Sequence, residues 1–222
     1  MPGGLGYRIG SQAGETEGFR TGNNARVLLG SHLSTSGGLH RALEDARAYG
    51  FRTTALFVRS PRQWAAPPLG EEADEEFRNV REGSGVEVVV AHASYLIYLA
   101  GEPPQRKNGL GAVREDLARC AALGIEYLVL HPGSCPDLET GIRRIVDGLD
   151  EALETVAKKR VRLLLEVTAG QGNCIGHRFE HLAELLARVR LKSRVCLLST
   201  SPSPRDRGCS RMQSTARKKK GG

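Results

Sequence analysis

Residues 160–172 read RVRLLLEVTAGQG, an apolar run that ends in Glu166 and is followed by small and polar residues. Two other stretches share this layout: VEVVVAHASYL places His92 directly after an apolar run, and IEYLVLHPGS does the same for His131. The gaps of 39 residues from His92 to His131 and 35 residues from His131 to Glu166 each match one strand, one helix and two loops. Three successive βα units are therefore predicted to present a metal-binding side chain where a strand ends.

The order of apolar and amphipathic segments predicts an alternating β/α chain. Strands are expected at 27–34, 53–58, 86–91, 127–130 and 161–166, with a sixth beginning near Ser193. Helices are expected at 36–50, 71–82, 113–124, 142–159 and 178–189. The strands are continuous apolar runs, as in a sheet covered on both faces. Strict alternation predicts a parallel sheet, either doubly wound or closed into a barrel, and functional side chains grouped at strand ends are typical of a (β/α)8 barrel.

The composition is that of an ordinary globular protein, with 222 residues, 40% hydrophobic and 26% charged. There is no run of 18 apolar residues and no signal-peptide pattern after Met1, so neither a membrane span nor secretion is expected. The five cysteines are odd in number and form no CxxC, which argues against a disulfide framework and favours reduced thiols in the cytoplasm.

The net charge of +7 is concentrated at one end of the chain. Residues 196–222 contain seven basic residues and one acidic residue, so the basicity is not evidence that the folded part binds DNA. Residues 1–25 are rich in Gly, Thr and Asn without periodicity, and we expect a disordered extension there. The folded domain is therefore predicted to span 26–195.

Two histidines and one glutamate form a common catalytic ligand set for zinc, because they leave a fourth position open. Zinc in such a site lowers the pKa of bound water and polarises phosphoryl or carbonyl oxygens. For a single histidine at a strand end, a hydrogen bond to backbone is the better explanation, but three such residues on successive units favour a metal. His32 also follows an apolar run and is a candidate for contact with a ligand or substrate. Solvent or capping roles are expected for His40, His177 and His181.

Beyond these patterns, the chain resembles endonuclease IV, the zinc-dependent apurinic/apyrimidinic (AP) endonuclease family of the TIM-barrel superfamily. The resemblance covers about residues 27–195 and implies a (β/α)8 TIM barrel, of which about five to six βα units are present. The matching segments are GSHLSTSGGL at 30–39, ALFVRSPRQW at 55–64, HASYLIYLA at 92–100, LHPGS at 130–134, LEVTAGQG at 165–172 and FEHLAELL at 179–186.

The resemblance implies a DNA-repair hydrolase that cuts the phosphodiester bond 5′ to an abasic site in double-stranded DNA and leaves a 3′-hydroxyl. The family uses three zinc ions per active site and a zinc-activated hydroxide. His92, His131 and Glu166 fall on zinc-ligand positions, with Glu166 expected to bridge two ions and act catalytically. The resemblance also implies a cytoplasmic, nucleoid-associated monomer (nuclear in a eukaryote) with no membrane partner.

Three further residues fall on positions that contact DNA in the family. By resemblance, Arg62, Tyr95 and Leu96 enter the base stack and hold the abasic nucleotide out of the helix. An apolar or aromatic wedge offsets the stacking that is lost when a nucleotide leaves the duplex. Without the resemblance, core packing would be the preferred interpretation of Tyr95 and Leu96.

The sequence departs from the family at two places. Val167 stands where the family usually has Asn, and the family pattern ends at 192–195, before the further Asp, His and Glu ligands of its later strands. Residues 196–222 instead resemble a translated sequencing adapter, and we interpret them as an artefact rather than a biological tail. At most one zinc position is then nearly complete, so we expect negligible incision by this chain.

Two alternative functions remain open at this stage. One is a metal-dependent sugar isomerase or epimerase on the related barrel, which the segments RSPRQW and HASYLIYL argue against because a small-sugar enzyme has no use for DNA wedges. The other is an inactive DNA-binding fragment whose basic tail supplies the affinity for nucleic acid.

Overall fold

A computed structural model describes residues 20–21, 25–63, 66–157 and 159–198. Its strands, in chain order, are β1 (Arg20–Thr21), β2 (Ala25–Arg26), β3 (Gly30–His32), β4 (Thr53–Phe57), β5 (Val88–His92), β6 (Tyr127–Leu130), β7 (Gly133–Ser134), β8 (Arg162–Glu166), β9 (Cys174–Ile175) and β10 (Val195–Leu198). The helices are α1 (Leu39–Ala48), α2 (Glu71–Ser84), α3 (Pro103–Ala122), α4 (Leu138–Glu154) and α5 (Phe179–Arg188).

Six strands form one parallel sheet in the order β3-β4-β5-β6-β8-β10. Each new strand is added beside the preceding one on the same side, whereas a doubly wound sheet reverses its strand order at a switch point. This order excludes the doubly wound alternative and confirms the predicted TIM-barrel class. Within the described residues the barrel is incomplete, with β3 and β10 at the two edges of the sheet.

Apolar side chains from the sheet and the helices form one continuous core. The register aligns the strand ends, since Phe57 pairs with His92, and Leu130 pairs with Leu165 next to Glu166. The carboxyl ends of β4, β5, β6 and β8 therefore lie along one edge, which is where parallel barrels place their functional side chains. None of the helices among the described residues is both long and apolar enough to cross a membrane.

Helix α3 begins ten residues before its predicted start at 113. Two prolines occupy its first turn, where the missing N–H groups cost nothing, and they set the start at Pro103. Gly109 and Gly111 then interrupt the apolar periodicity from which helices are recognised in a sequence. The beginning of the helix was therefore hidden by residues that lower helix propensity without preventing the helix.

The structure describes part of each predicted terminal segment, and the predicted domain boundaries stay predictions. The predicted disordered extension 1–25 includes β1 and the first residue of β2, which pair in antiparallel fashion. The predicted tail 196–222 includes the last three residues of β10, which pair in register with β8 from Leu164 to Glu166. The rest of both segments lies outside the described residues.

Candidate functional site

The three predicted metal ligands converge at the carboxyl edge of the sheet. His92 ends β5, His131 directly follows β6, and Glu166 ends β8. Nε2 of His131 lies 2.8 Å from Oε2 of Glu166, and Nε2 of His92 lies 3.2 Å from the same oxygen. One ligand atom from each residue lies within 4.8 Å of the other two, so the group is able to hold a metal ion.

The orientation of the His92 ring decides which of its nitrogens faces Glu166. Its Nδ1 is 2.8 Å from the carbonyl oxygen of Ala93, which only accepts, so Nδ1 carries a proton and donates it. Its Nε2 then faces the Glu166 carboxylate as a donor in the protonated ring, and with a lone pair in the neutral ring. Two lone pairs at this distance repel unless a proton or a cation lies between them. A backbone carbonyl on the remote ring nitrogen is also the usual support of a metal-binding histidine.

The electrostatics of Glu166 favour an ionised ligand. Burial of the carboxyl group would raise its pKa, but hydrogen bonds from His131 and His92 outweigh burial and hold the pKa of Glu166 well below its usual range. The cluster is also accessible from one side, since the side chain of His131 is 42% exposed while those of His92 and Glu166 are more buried. The donor set of two imidazole nitrogens and one carboxylate, with one open side, fits a catalytic zinc site.

Aromatic rings surround this cluster. His32 packs on Phe57 with ring centroids 4.6 Å apart and lies 6.3 Å from His92. Burial, and then the neighbouring His92, lower the pKa of His32. Phe57 also lies 5.5 Å from the rings of His92 and Tyr95. It was not identified from the sequence, where it reads as one more apolar residue of β4.

The other histidines have protein partners elsewhere. Nδ1 of His40 lies 2.8 Å from Glu76, Nδ1 of His177 donates to a backbone carbonyl at 2.7 Å, and Nδ1 of His181 accepts from a backbone N–H at 3.3 Å. His40 and His181 are buried, each only 9% exposed, so the solvent role expected for them from the sequence does not fit.

The predicted DNA-contact residues lie on the loops that follow β4 and β5. Tyr95 is half-buried, with its ring centroid 5.7 Å from that of His92 and 6.2 Å from that of His131. Leu96 beside it is also half-buried, and Arg62 on the loop after β4 is exposed. The structure thus places all three outside the core, and brings Tyr95 against the metal-binding group. Their role in DNA contact stays a prediction.

An open cleft of about 570 Å³ lies between the loops that follow β3 and β4. Its lining residues are His32, Leu33, Ser34, Thr35, Ser36, Phe57, Arg59, Ser60 and Pro61. The cleft lies beside the cluster, because His32 and Phe57 line it and also contact the ring of His92. No pattern in the sequence indicates it, because its residues come from two separate loops.

Known proteins share this architecture. Residues 43–198, well over half of the chain, match the family model described as a xylose isomerase-like TIM barrel. A probable endonuclease 4 of Thermoplasma acidophilum is 38% identical over 173 residues, which cover 78% of this chain and 60% of that protein. A probable endonuclease 4 of Citrifermentans bemidjiense is 40% identical over 162 residues, which cover 72% of this chain and 57% of that protein.

Solved structures give the same result. Endonuclease IV from Thermus thermophilus superposes with a TM-score of 0.68 at 38% identity, over 77% of this chain and 62% of that chain. A D-psicose 3-epimerase superposes with a TM-score of 0.62 but is only 15% identical, so it shows the fold alone. The chain spans about 60% of the length of the curated relatives it matches. By these matches the chain belongs to the xylose isomerase-like TIM barrel family, and its resemblance to endonuclease IV is confirmed.

Proposed function

We propose that this chain carries the metal-binding and DNA-contacting part of an endonuclease that hydrolyses the phosphodiester bond 5′ to abasic sites in double-stranded DNA. The observation that carries the proposal is the convergence of His92, His131 and Glu166 at one edge of the sheet, directly beside Tyr95. The likeness to endonuclease IV at 38% identity supports it. The structural neighbours that are sugar epimerases are 15–17% identical and add nothing in favour of a sugar substrate.

The metal is proposed to be zinc, held by Nε2 of His92, Nε2 of His131 and the carboxylate of Glu166. When bound, zinc would polarise a phosphoryl oxygen and lower the pKa of a water molecule at its open position. Glu166 is the proposed catalytic carboxylate because it contacts both histidines and is ionised at neutral pH. Phe57 and Tyr95 cover the cluster with aromatic rings, which lowers the local dielectric constant and strengthens its electrostatic interactions.

Recognition of the abasic site is proposed to rest on Arg62, Tyr95 and Leu96. An abasic nucleotide has no base to stack, so its extrusion costs less than that of an intact nucleotide. Half-buried Tyr95 and Leu96 have apolar surface available to fill the resulting gap, and exposed Arg62 offers a cation to the phosphates. We propose that the protein acts as a monomer in the cytoplasm, on the nucleoid, or in the nucleus of a eukaryote.

Binding of a labelled duplex tests this function. Fluorescence anisotropy compares a duplex that contains a tetrahydrofuran abasic analogue with an otherwise identical intact duplex, with zinc and with chelator. We expect preference for the abasic duplex, and loss of that preference in Tyr95→Ala but not in Tyr49→Ala, since Tyr49 is 67% exposed beside the end of α1. Equal affinity for the two duplexes would overturn the proposal.

Incision is measured on the same abasic duplex by gel electrophoresis, with polymerase extension to detect a 3′-hydroxyl. We expect negligible incision by this chain, because the described residues assemble three of the larger set of ligands that the resemblance implies. Turnover of ketoses in the absence of abasic-selective binding would instead favour the epimerase alternative. Abasic-selective binding that is lost with chelator separates the proposed function from a metal-independent DNA-binding fragment.

A further inference from the structure

We infer that a buried ion pair between Arg59 and Asp116 is a positioning device that fixes two DNA-contact loops relative to each other. The loops are the arginine loop, residues 59–63, which carries Arg62, and the tyrosine loop, residues 93–101, which carries Tyr95. The inference rests on the proposed function for its consequence in DNA binding, but the positioning itself is measurable without DNA.

The pair is deeply buried, with side chains that are only 2% and 1% exposed. Nε of Arg59 donates to Oδ1 of Asp116 at 2.5 Å, and Nη2 lies 3.5 Å from Oδ2. Burial raises the pKa of the Asp116 carboxyl group to about 6, against the opposing effect of the Arg59 guanidinium. Because the Arg59 guanidinium stays charged, the contact at 2.5 Å is a charge-assisted hydrogen bond, which is stronger than a neutral one.

Both loops are attached to this pair. Nη1 of Arg59 donates to the carbonyl oxygen of Gln63 at 2.8 Å, which closes the arginine loop around the guanidinium. The backbone N–H of Ser94 donates to the Asp116 carboxylate, which attaches the tyrosine loop to the same group. The Ser94 hydroxyl then donates to the carbonyl oxygen of Pro61 at 2.7 Å and links the two loops directly.

Helix α3 supplies further attachments to the same loops. Arg119 lies one turn after Asp116 and donates to the carbonyl oxygens of Val58 and Pro67, on either side of the arginine loop. Gly109 approaches the tyrosine loop so closely that a Cβ at this position would lie 2.9 Å from the backbone nitrogen of Tyr98. Helix α3 thus contacts both loops and is their common platform.

Stability alone is a poor explanation for this pair. A buried ion pair costs so much desolvation that replacement by apolar residues of similar volume is often neutral or stabilising. Apolar residues cannot replace the hydrogen bonds of this pair. The Arg59 guanidinium binds the Gln63 carbonyl and the Asp116 carboxylate together, and the same carboxylate binds the Ser94 amide. Arg62 and Tyr95 lie within three residues of these anchors, and small errors in their placement weaken recognition strongly.

The test uses the full chain with both partners replaced, Arg59→Met together with Asp116→Leu. Hydrogen exchange followed by mass spectrometry reads loop order, thermal unfolding reads stability, and anisotropy reads preference for the abasic duplex. We expect a Tm close to that of the wild type, at least about tenfold faster exchange in 59–63 and 93–97, and about tenfold lower abasic preference. Unchanged exchange in both loops would overturn the inference.

Two further variants keep the test decisive. Arg59→Lys retains the positive charge but lacks the several N–H donors of the guanidinium, so hydrogen exchange should rise in 59–63. This variant decides the question if the double variant fails to fold. Unchanged exchange in 59–63 would again overturn the inference. Glu151→Gln breaks the exposed pair between Arg114 and Glu151 and should change neither exchange nor binding. If the wild type shows no abasic preference, the proposed function fails, while the exchange measurement still decides the positioning role.

Discussion

The close approach of α3 to the tyrosine loop predicts opposite effects for two glycines on one helix. Gly111 is exposed, and a Cβ built there meets nothing within 4 Å. Gly109, two residues earlier, is buried against Tyr98. A Cβ at Gly109 would lie 2.9 Å from the backbone nitrogen of Tyr98 and 3.4 Å from the carbonyl carbon of Tyr98. Both glycines are interior to α3, so the change in helix propensity on substitution by alanine is the same.

The magnitudes follow from these contacts. Replacing an interior helical glycine by alanine raises the free energy of unfolding by about 0.5–1 kcal/mol. Gly111→Ala should show this gain, which corresponds to roughly 1–4 °C in Tm for a chain of this size. Gly109→Ala adds an overpacking cost of about 1–3 kcal/mol, because the neighbour that must give way is backbone and not the end of a flexible side chain. The two variants should therefore differ by about 1–3 kcal/mol.

Urea unfolding monitored by circular dichroism measures both variants under the same conditions. The same pair also separates packing from function, since Gly109→Ala should displace the backbone that carries Tyr95 and reduce abasic preference, while Gly111→Ala should leave it unchanged. If Gly109→Ala stabilised the protein as much as Gly111→Ala, the close approach, and with it the claim that α3 fixes the tyrosine loop, would be refuted.

Three other measurements test the site and the core. His131→Ala should weaken zinc binding by at least about a hundredfold, read from competition with a cobalt spectroscopic probe, whereas His40→Ala should leave it unchanged. Leu149→Ala should cost about 2–5 kcal/mol in urea unfolding because its side chain is fully buried, and Leu138→Ala, at an exposed position, should cost less than about 0.5 kcal/mol. Asp137→Ala should lower the Tm by a few degrees, because the carboxylate caps α4 by accepting from the N–H of Thr140 at 2.8 Å, and Asp137→Asn should largely preserve it.

The strand ends were predictable from the sequence for a physical reason. A strand buried on both faces must be apolar throughout, so a His or Glu that ends such a run is conspicuous, and parallel pairing brings neighbouring ends to one edge. His92, His131 and Glu166 could therefore be grouped without any knowledge of their distances. The expected DNA contacts at Arg62, Tyr95 and Leu96 came from resemblance alone, because a loop has no periodicity from which its role follows.

The anchoring of the loops could not be predicted in this way. Arg59 and Asp116 are 57 residues apart in the chain, and each is typical of an exposed surface until the fold buries both. Their pairing depends on how α3 crosses the loop after β4, and the start of α3 was itself hidden by Gly109 and Gly111. Local patterns predict which element a residue occupies, whereas a buried polar pair is a property of two elements together.

The metal ligands alone do not distinguish a nuclease from a sugar enzyme on this barrel. A set of two imidazoles and a carboxylate at the strand ends polarises an oxygen whether it belongs to a phosphate or to a ketose, so the cluster does not select the substrate. Selection must come from the groups that stand over the cluster. Here Tyr95, whose ring lies 5.7 Å from that of His92, is the proposed selecting group, and the neighbouring Ser94 contacts Pro61 and Asp116. Variants of the buried anchors should therefore change duplex preference while leaving zinc affinity intact, and variants of the ligands should abolish zinc binding without loosening the loops.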